Sequence, residues 1–452
     1  MKDFVFVLFG ATGDLAMKKI FPSLFALYER GEFKAKFKIL AASRSKLDNT
    51  SFLKELEKKA KIQDKSSLKY TEFISQISYL SMDFSNSKDF EELENLLQNE
   101  KNIIIYFSIS PYFFTPACEN LAKVSLNDKR VKIVLEKPLG VDLKSCKNIN
   151  ASIGKYFSEE QIYRIDHYLG KESIQNILYL RAFNPLLKAL WNNKFIACMQ
   201  ISVYESLGIE SRGEFYDKMG ASRDMLQNHM LQILSLLTMK LPKKFDSDSI
   251  RKAKCEILKS LKPISDFQNE VIRAQYTANL GLKGYLEEEN IPSSSKTESF
   301  VALKAELLDE SFKGVPFFLR TGKRMNESYV SVVVEFKEDA FVNKLVLNIQ
   351  PKNQILLYLN HKTAGQNTLT QKPLKLNLSS GVQAYEKLIL DVILGDATYF
   401  NHKEELEAAW SFLDPVLSYF QKENTPLFYY KAKSKGPKEA IKLIERENFT
   451  WL

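Results

Sequence analysis

Residues 4–31 read FVFVLFGATGDLAMKKIFPSLFALYERG, and the fold class turns on how this stretch changes character at Gly10. Up to Phe9 it is an unbroken apolar run, the composition of a strand buried on both faces. From Met17 the apolar positions recur with helical spacing as far as Gly31. Between the two, GATGDLA (residues 10–16) sets Gly10, Gly13 and Ala16 three apart at a strand-to-helix turn. Glycines there let backbone amides approach a pyrophosphate, and the helix N-terminus adds the positive end of its dipole. The middle glycine of the usual GxGxxG is absent, so the motif alone also fits an ordinary glycine-rich turn. Its place at the head of a strand-helix series favours a dinucleotide site built from Gly10, Ala11, Thr12, Gly13, Asp14 and Leu15.

Working outward, apolar runs at 4–9, 37–43, 77–84, 102–110 and 131–136 alternate with amphipathic, charge-rich segments at 51–62 and 87–99. This rhythm predicts a parallel sheet with crossover helices, with its ligand crevice at the carboxyl ends of the strands. Beyond residue 165 the pattern becomes long helices followed by consecutive strand-like runs at 195–205, 297–307, 328–336, 343–351 and 354–362. Strands without crossovers predict a mainly antiparallel sheet. The expected architecture is therefore α/β followed by α+β: a Rossmann-like coenzyme domain over residues 1–165, and a larger domain over 166–452. Helices at 384–396 and 403–420 close the chain.

Composition narrows the function classes. A chain of 452 residues that is 45% apolar can bury a large core. Its formal charge of +9 comes from 64 basic residues interleaved with 55 acidic ones, so nucleic acid is not the expected partner. The one dense basic run, YYKAKSKGPK (429–438), reads as a solvated segment. The four cysteines show no metal or redox spacing, which predicts reduced thiols of the cytoplasm and no bound metal. No run approaches the roughly 18 apolar residues of a membrane helix.

Chemistry-bearing groups cluster at the expected crevice. The second strand ends in AASRSK (41–46) where an acid would meet the ribose hydroxyls of NAD; Ser43 and Arg44 suit a ribose phosphate and so NADP. The fifth strand ends in EKPLG (136–140), which sets Lys137 and Pro138 at the crevice edge. Residues 204–237 are dense in polar groups, among them Glu205, Glu210, Arg212, Asp224, Gln227, Asn228 and His229, before turning into an apolar helix. A dehydrogenase acting on an alcohol needs a base near working pH, and histidine with a carboxylate on its other ring nitrogen supplies one. His229 is the candidate, although its apolar neighbours also fit a hydrogen-bonded core histidine. Asp224, five residues away, would face elsewhere on an α-helix. Asp166 is then the better partner, although it also fits an N-cap.

The stretch RIDHYLGKE (164–172) resembles the signature of glucose-6-phosphate dehydrogenases. The resemblance extends over nearly the whole chain through GATGDLA, EKPLG, ALWNN (189–193), residues 205–229, SSSKTESFVALKAE (293–306), GVPFFLRTGKRM (314–325), NIQP (348–351) and YEKLILDVILGD (385–396). It implies that His229 is the general base and Asp166 its orienting carboxylate. His167, Tyr168 and Lys171 would hold the sugar phosphate. Glu205, Asp224 and Lys323 would bind the hexose, with Lys137 bridging substrate and coenzyme. The implied reaction is oxidation of β-D-glucose 6-phosphate at C1 to 6-phospho-D-glucono-1,5-lactone with hydride transfer to NADP, the entry step of the oxidative pentose phosphate pathway. A homodimer through the large sheet, or a homotetramer, is implied as well. Arg164 is expected to form a structural salt bridge.

Three departures from the family pattern stand out. Ser328 occupies the place of a second lysine, for which Arg324 is expected to compensate. MKLPKKF replaces an EPP stretch after the His229 helix, and the short C-terminus is expected to leave no room for an extra coenzyme site. The rival readings are another NAD(P)-dependent sugar dehydrogenase of the Gfo/Idh type, which would need no phosphate cluster, and a catalytically silent NADP-binding regulator.

Overall fold

The computed structural model describes residues 1–338, 342–379 and 381–452. Two compact units emerge from the chain's contacts. The first comprises Met1–Lys171, Lys244–Arg251 and Val382–Glu404; the second comprises Glu172–Lys243, Lys252–Gly381 and Glu405–Leu452.

The first unit is built on a six-stranded sheet among the described residues. Its strands are β1 (Phe4–Phe9), β2 (Phe37–Ser43), β3 (Ile77–Ser81), β4 (Ile103–Phe107), β5 (Val131–Leu135) and β6 (Ile162–Arg164). Every pairing is parallel and the order is β3-β2-β1-β4-β5-β6, the doubly wound arrangement that the strand-helix alternation predicts. Strand order reverses between β1 and β4, so a crevice opens at their carboxyl ends. β1 and β4 are buried along their whole length, as their unbroken apolar sequences require. A helix from late in the chain completes this unit. Ala384–Leu394 packs on helix Phe21–Glu29, with Glu386 paired to Arg30 at 2.7 Å. It also comes so close to Gly170 that a Cβ there would lie 2.4 Å from the Ala384 carbonyl oxygen. Arg164 is buried and bidentate to Glu159 at 2.6 and 3.0 Å, a structural pair as expected.

The second unit holds a nine-stranded sheet among the described residues. It is formed by β7 (Ile196–Tyr204), β8 (Val271–Thr277), β9 (Phe300–Ala305), β10 (Phe317–Gly322), β11 (Tyr329–Phe336), β12 (Lys344–Gln350), β13 (Gln354–Lys362), β14 (Leu369–Asn377) and β15 (Phe428–Lys431). The order is β14-β13-β12-β11-β7-β10-β9-β8-β15, antiparallel except where β10 meets β7 and β15 meets β8. Three of these strands hide from hydropathy patterning. β8 and β10 carry the buried Arg273 and Arg320 in their midst, and β14 is exposed along its whole length and contains Pro373. Proline is tolerated there because β14 is an edge. No helix of the described residues is long and apolar enough to cross a membrane.

One backbone feature governs the second unit's chemistry-bearing segment. Helix Gly213–Ala221 breaks at Gly220 (φ 66, ψ 172), a conformation confined to glycine. Beyond the break Ser222–Met230 runs as a π-helix. Glu298 takes the place of a cap: its carbonyl accepts the Ala221 N–H at 2.9 Å and its carboxylate the Ser222 N–H at 3.0 Å. A Cβ on Gly220 would sit 2.6 Å from that carboxylate. Gly220→Ala should therefore destabilise the protein by about 2–4 kcal/mol, backbone strain plus displacement of a buried charge. Thermal melting checks this, and an unchanged Tm would contradict it.

Candidate active site

In the first unit a cavity of about 440 Å³ lies at the carboxyl ends of the strands, lined by Gly10, Thr12, Gly13, Ser43, Arg44, Ser45 and the Phe84, Ser108–Ser110 and Phe113 rim. Gly10 (φ +79) has its α-carbon so close to β4 that a Cβ would fall 2.1 Å from the Ser108 carbonyl oxygen. Only glycine admits this approach. Ala11 is buried beneath the turn, and Asp14, which is exposed, pairs with Lys18 at 2.7 Å. Leu15 leads into the helical segment that starts at Ala16.

The exit loop of β2 is tied down by its neighbours. The Ser43 hydroxyl meets the Tyr79 hydroxyl at 2.7 Å and the Thr12 hydroxyl at 3.2 Å, and Tyr79 also donates to the Ser45 carbonyl at 2.5 Å. Tyr79 is itself stacked on Phe52 at 4.6 Å. Arg44 is left exposed over the Phe113 ring, 5.4 Å from its centroid. No acid lines the cavity, so its donor set suits a ribose phosphate. Neither Phe113 nor Tyr79 carries a motif; only strand order brings them to the loop.

At the exit of β5, Glu136 is buried and accepts from the Tyr106 and Tyr385 hydroxyls. Burial pushes its carboxyl above the usual range, and the two tyrosines pull against that shift. Lys137 and Pro138 follow at the surface of this turn, joined by a cis peptide. The ring of Tyr385 lies parallel to that of His167, 6.1 Å away with an interplanar angle of 8°. His167 meets Tyr168 edge-on at 5.1 Å, and the Lys171 ammonium sits 3.7 Å above the Tyr168 ring. The three residues expected at a phosphate thus form one cluster within the unit. Asp166 is buried and accepts the Tyr168 N–H at 2.9 Å, a local turn that orients its carboxylate.

The second unit gathers Glu205, Asp224 and Lys323. The buried Lys323 ammonium is bonded to the Glu205 carboxylate and lies 3.3 Å from Asp224, with the Tyr216 ring beneath it at 5.3 Å. Two carboxylates around one ammonium give a set of paired donors and acceptors suited to sugar hydroxyls. His229 is buried on the π-helix and its backbone N–H donates to Asn228 Oδ1. The π-helix corrects one expectation. Its hydrogen bonds span five residues, as from the Leu231 N–H to the Leu226 carbonyl. Residues five apart are therefore one turn apart on nearly the same face, and Asp224 does not face away from His229.

Residues 7–176 match the model of the glucose-6-phosphate dehydrogenase NAD binding domain, and residues 178–452 match that of its C-terminal domain. Among curated relatives, the glucose-6-phosphate 1-dehydrogenase of Helicobacter pylori strain J99 is 45% identical over 445 residues, 98% of this chain and 99% of the relative. The chain belongs to the glucose-6-phosphate dehydrogenase family. Among solved structures, a glucose-6-phosphate dehydrogenase in complex with its substrate glucose-6-phosphate superimposes with a TM-score of 0.93 at 32% identity, covering 99% of this chain and 98% of the other.

One departure of the chain from its family's pattern has a structural answer. Ser328 is exposed, and its hydroxyl accepts the Ser206 N–H and meets the Ser206 hydroxyl, both at 2.8 Å. The Arg324 guanidinium is engaged by Glu288 at 3.0 Å and Glu210 at 3.4 Å. A second cavity, of about 480 Å³, lies beside Arg320, Lys352, Lys435 and Trp451. Arg320 is already committed there, to the Leu452 carbonyl at 3.1 Å and the Trp451 ring at 4.1 Å.

The tethered β2 loop makes a prediction about coenzyme choice. Tyr79→Phe removes the hydroxyl that locks Ser43 and Ser45 and should lower kcat/KM about tenfold with NADP, ~1.4 kcal/mol, but less than twofold with NAD. Steady-state kinetics with both coenzymes decide it.

Proposed function

We propose that this chain oxidises β-D-glucose 6-phosphate at C1 to 6-phospho-D-glucono-1,5-lactone, opening the oxidative pentose phosphate pathway, with NADP as its coenzyme. Family membership supports the reaction, and the set of Glu205, Lys323 and Asp224, the last on the helix that carries His229, carries the assignment of residues. Residues 1–165 serve as the coenzyme domain and 166–452 as the substrate and dimerisation domain.

His229 takes the proton from the C1 hydroxyl. The imidazole gains charge as the proton arrives, and Asp166 is the residue assigned to orient and stabilise it. Bound NADP accepts the hydride. His167, Tyr168 and Lys171 hold the phosphate; the ammonium above the Tyr168 ring supports this, since a lysine stacked there is preordered for an anion. Glu205, Asp224 and Lys323 fix the hexose hydroxyls, and Lys137 bridges sugar and coenzyme at the end of β5. Gly10 to Leu15 and Pro138 shape the coenzyme crevice, and Ser43 and Arg44 receive its ribose phosphate.

His229→Asn should lower kcat at least a hundredfold with little change in KM, the usual contribution of a general base being about 10²–10⁴. Nicotinamide absorbance with glucose 6-phosphate measures it, and full activity in the variant would remove His229 from this role. Free glucose should be a far poorer substrate than glucose 6-phosphate. Equal kcat/KM for the two would favour a sugar dehydrogenase that recognises no phosphate.

The protein works in the cytoplasm as a homodimer or homotetramer. Four buried thiols fit a reducing compartment. Leu359, Leu369, Leu374 and Leu376 are 42–62% exposed on β13 and the edge strand β14, a concentration of apolar side chains that calls for a partner surface. Leu374 and Leu376 share one face of β14. Light scattering should give two or four chains for the native protein and a shift towards one for Leu374→Lys/Leu376→Lys; an unchanged mass would place the interface elsewhere.

A further inference from the structure

Lys433 lies in the basic run 429–438 that the proposed function leaves unused. It adopts φ +62, the left-handed region that non-glycine side chains avoid. Strain of this kind persists where surrounding bonds over-determine the backbone, and it concentrates at functional positions. Here the bonds are specific. The Lys433 N–H donates to the Arg324 carbonyl at 2.6 Å, the Asn326 N–H to the Ser434 carbonyl at 2.9 Å, and Asn279 Nδ2 to the Ala432 carbonyl at 2.7 Å. The Tyr430 hydroxyl donates to the Lys323 carbonyl at 2.6 Å. The loop after β15 is thereby stapled to the residues that follow β10, Lys323 among them.

The conformation sends the Lys433 side chain to Ser206, where its ammonium donates to the carbonyl oxygen at 3.1 Å. Ser206 directly follows Glu205, which is paired with Lys323, and it is bonded to the short side chain of Ser328. Lys433 is half-buried, and one of its three N–H donors is spent on protein among the described residues. Arg324, the neighbouring cation, has its guanidinium committed to Glu288 and Glu210.

We propose that Lys433 is a substrate-binding residue, whose ammonium, seated on the Ser206 carbonyl, contacts the hexose held at Glu205 and Lys323. This rests on the placement of the hexose at Glu205. The strained backbone is what aims the side chain there, so binding is obtained at some cost in stability.

The test compares Lys433→Gly, Lys433→Met and Lys433→Arg with Glu205→Gln as the control for the hexose site. Lys433→Gly relieves the strain and removes the charge. It should leave Tm unchanged or higher while raising KM for glucose 6-phosphate about tenfold, with kcat and KM for NADP within twofold of the parent. Lys433→Met, which keeps the apolar stem, should show the same rise, and Lys433→Arg should restore most of the affinity. An unchanged KM in both the glycine and methionine variants, with KM raised in Glu205→Gln, would overturn the role of Lys433 alone. An unchanged KM in Glu205→Gln as well would overturn the placement of the sugar, and Lys433 with it.

Discussion

The carboxylate of Glu298 accepting the Ser222 N–H is the contact on which the second unit's chemistry depends. It is possible only because Gly220 has no Cβ and can take a backbone conformation closed to other residues. The bond ends one helix and starts another at a fixed angle, and the segment that starts there is a π-helix. Because that helix bonds an N–H to the carbonyl five residues back, Asp224 and His229 come just over one turn apart, and Asp224 meets Lys323 at the end of β10. A side chain at residue 220 would displace a buried charge and, with it, the register of every polar group as far as Met230.

The first unit obeys the same logic at Gly10. The absent Cβ lets the turn lie against the Ser108 carbonyl, which opens the crevice where strand order reverses. The loop after β2 is held by hydroxyls, through Tyr79, Ser43 and Thr12. Arg44 stays exposed over the Phe113 ring. Polar groups that do not meet ligand are paired internally: Glu136 with two tyrosines, and Arg164 with Glu159.

Much of this is legible without coordinates because it is local. β1 and β4 are buried on both faces and so are uniformly apolar. Gly10 marks a turn, and His167, Tyr168 and Lys171 lie within five residues of one another, so they can meet without help from the rest of the fold. β8 and β10 are not legible, since their buried arginines are satisfied by carbonyls and hydroxyls far away in the chain. β14 is not legible either, being exposed on both faces and carrying Pro373 in its midst. The assumption of α-helical periodicity across Ser222–Met230 fails for a similar reason. No residue there forbids an α-helix; the π form accompanies the break at Gly220 and the bond from Glu298, which is 76 residues away.

By itself, the sequence determined the alternation that yields a doubly wound sheet, the mainly antiparallel character of the second sheet, the glycine turn and the family, because these reside in short-range patterns of hydrophobicity and in contiguous motifs. Only the tertiary structure decided which partners each cation meets. Arg324, adjacent to Lys323 in the chain, is consumed by Glu288 and Glu210, whereas Lys433, more than a hundred residues away, reaches Ser206. Charge is written in the sequence, but its availability depends on which partners the fold brings within hydrogen-bonding distance.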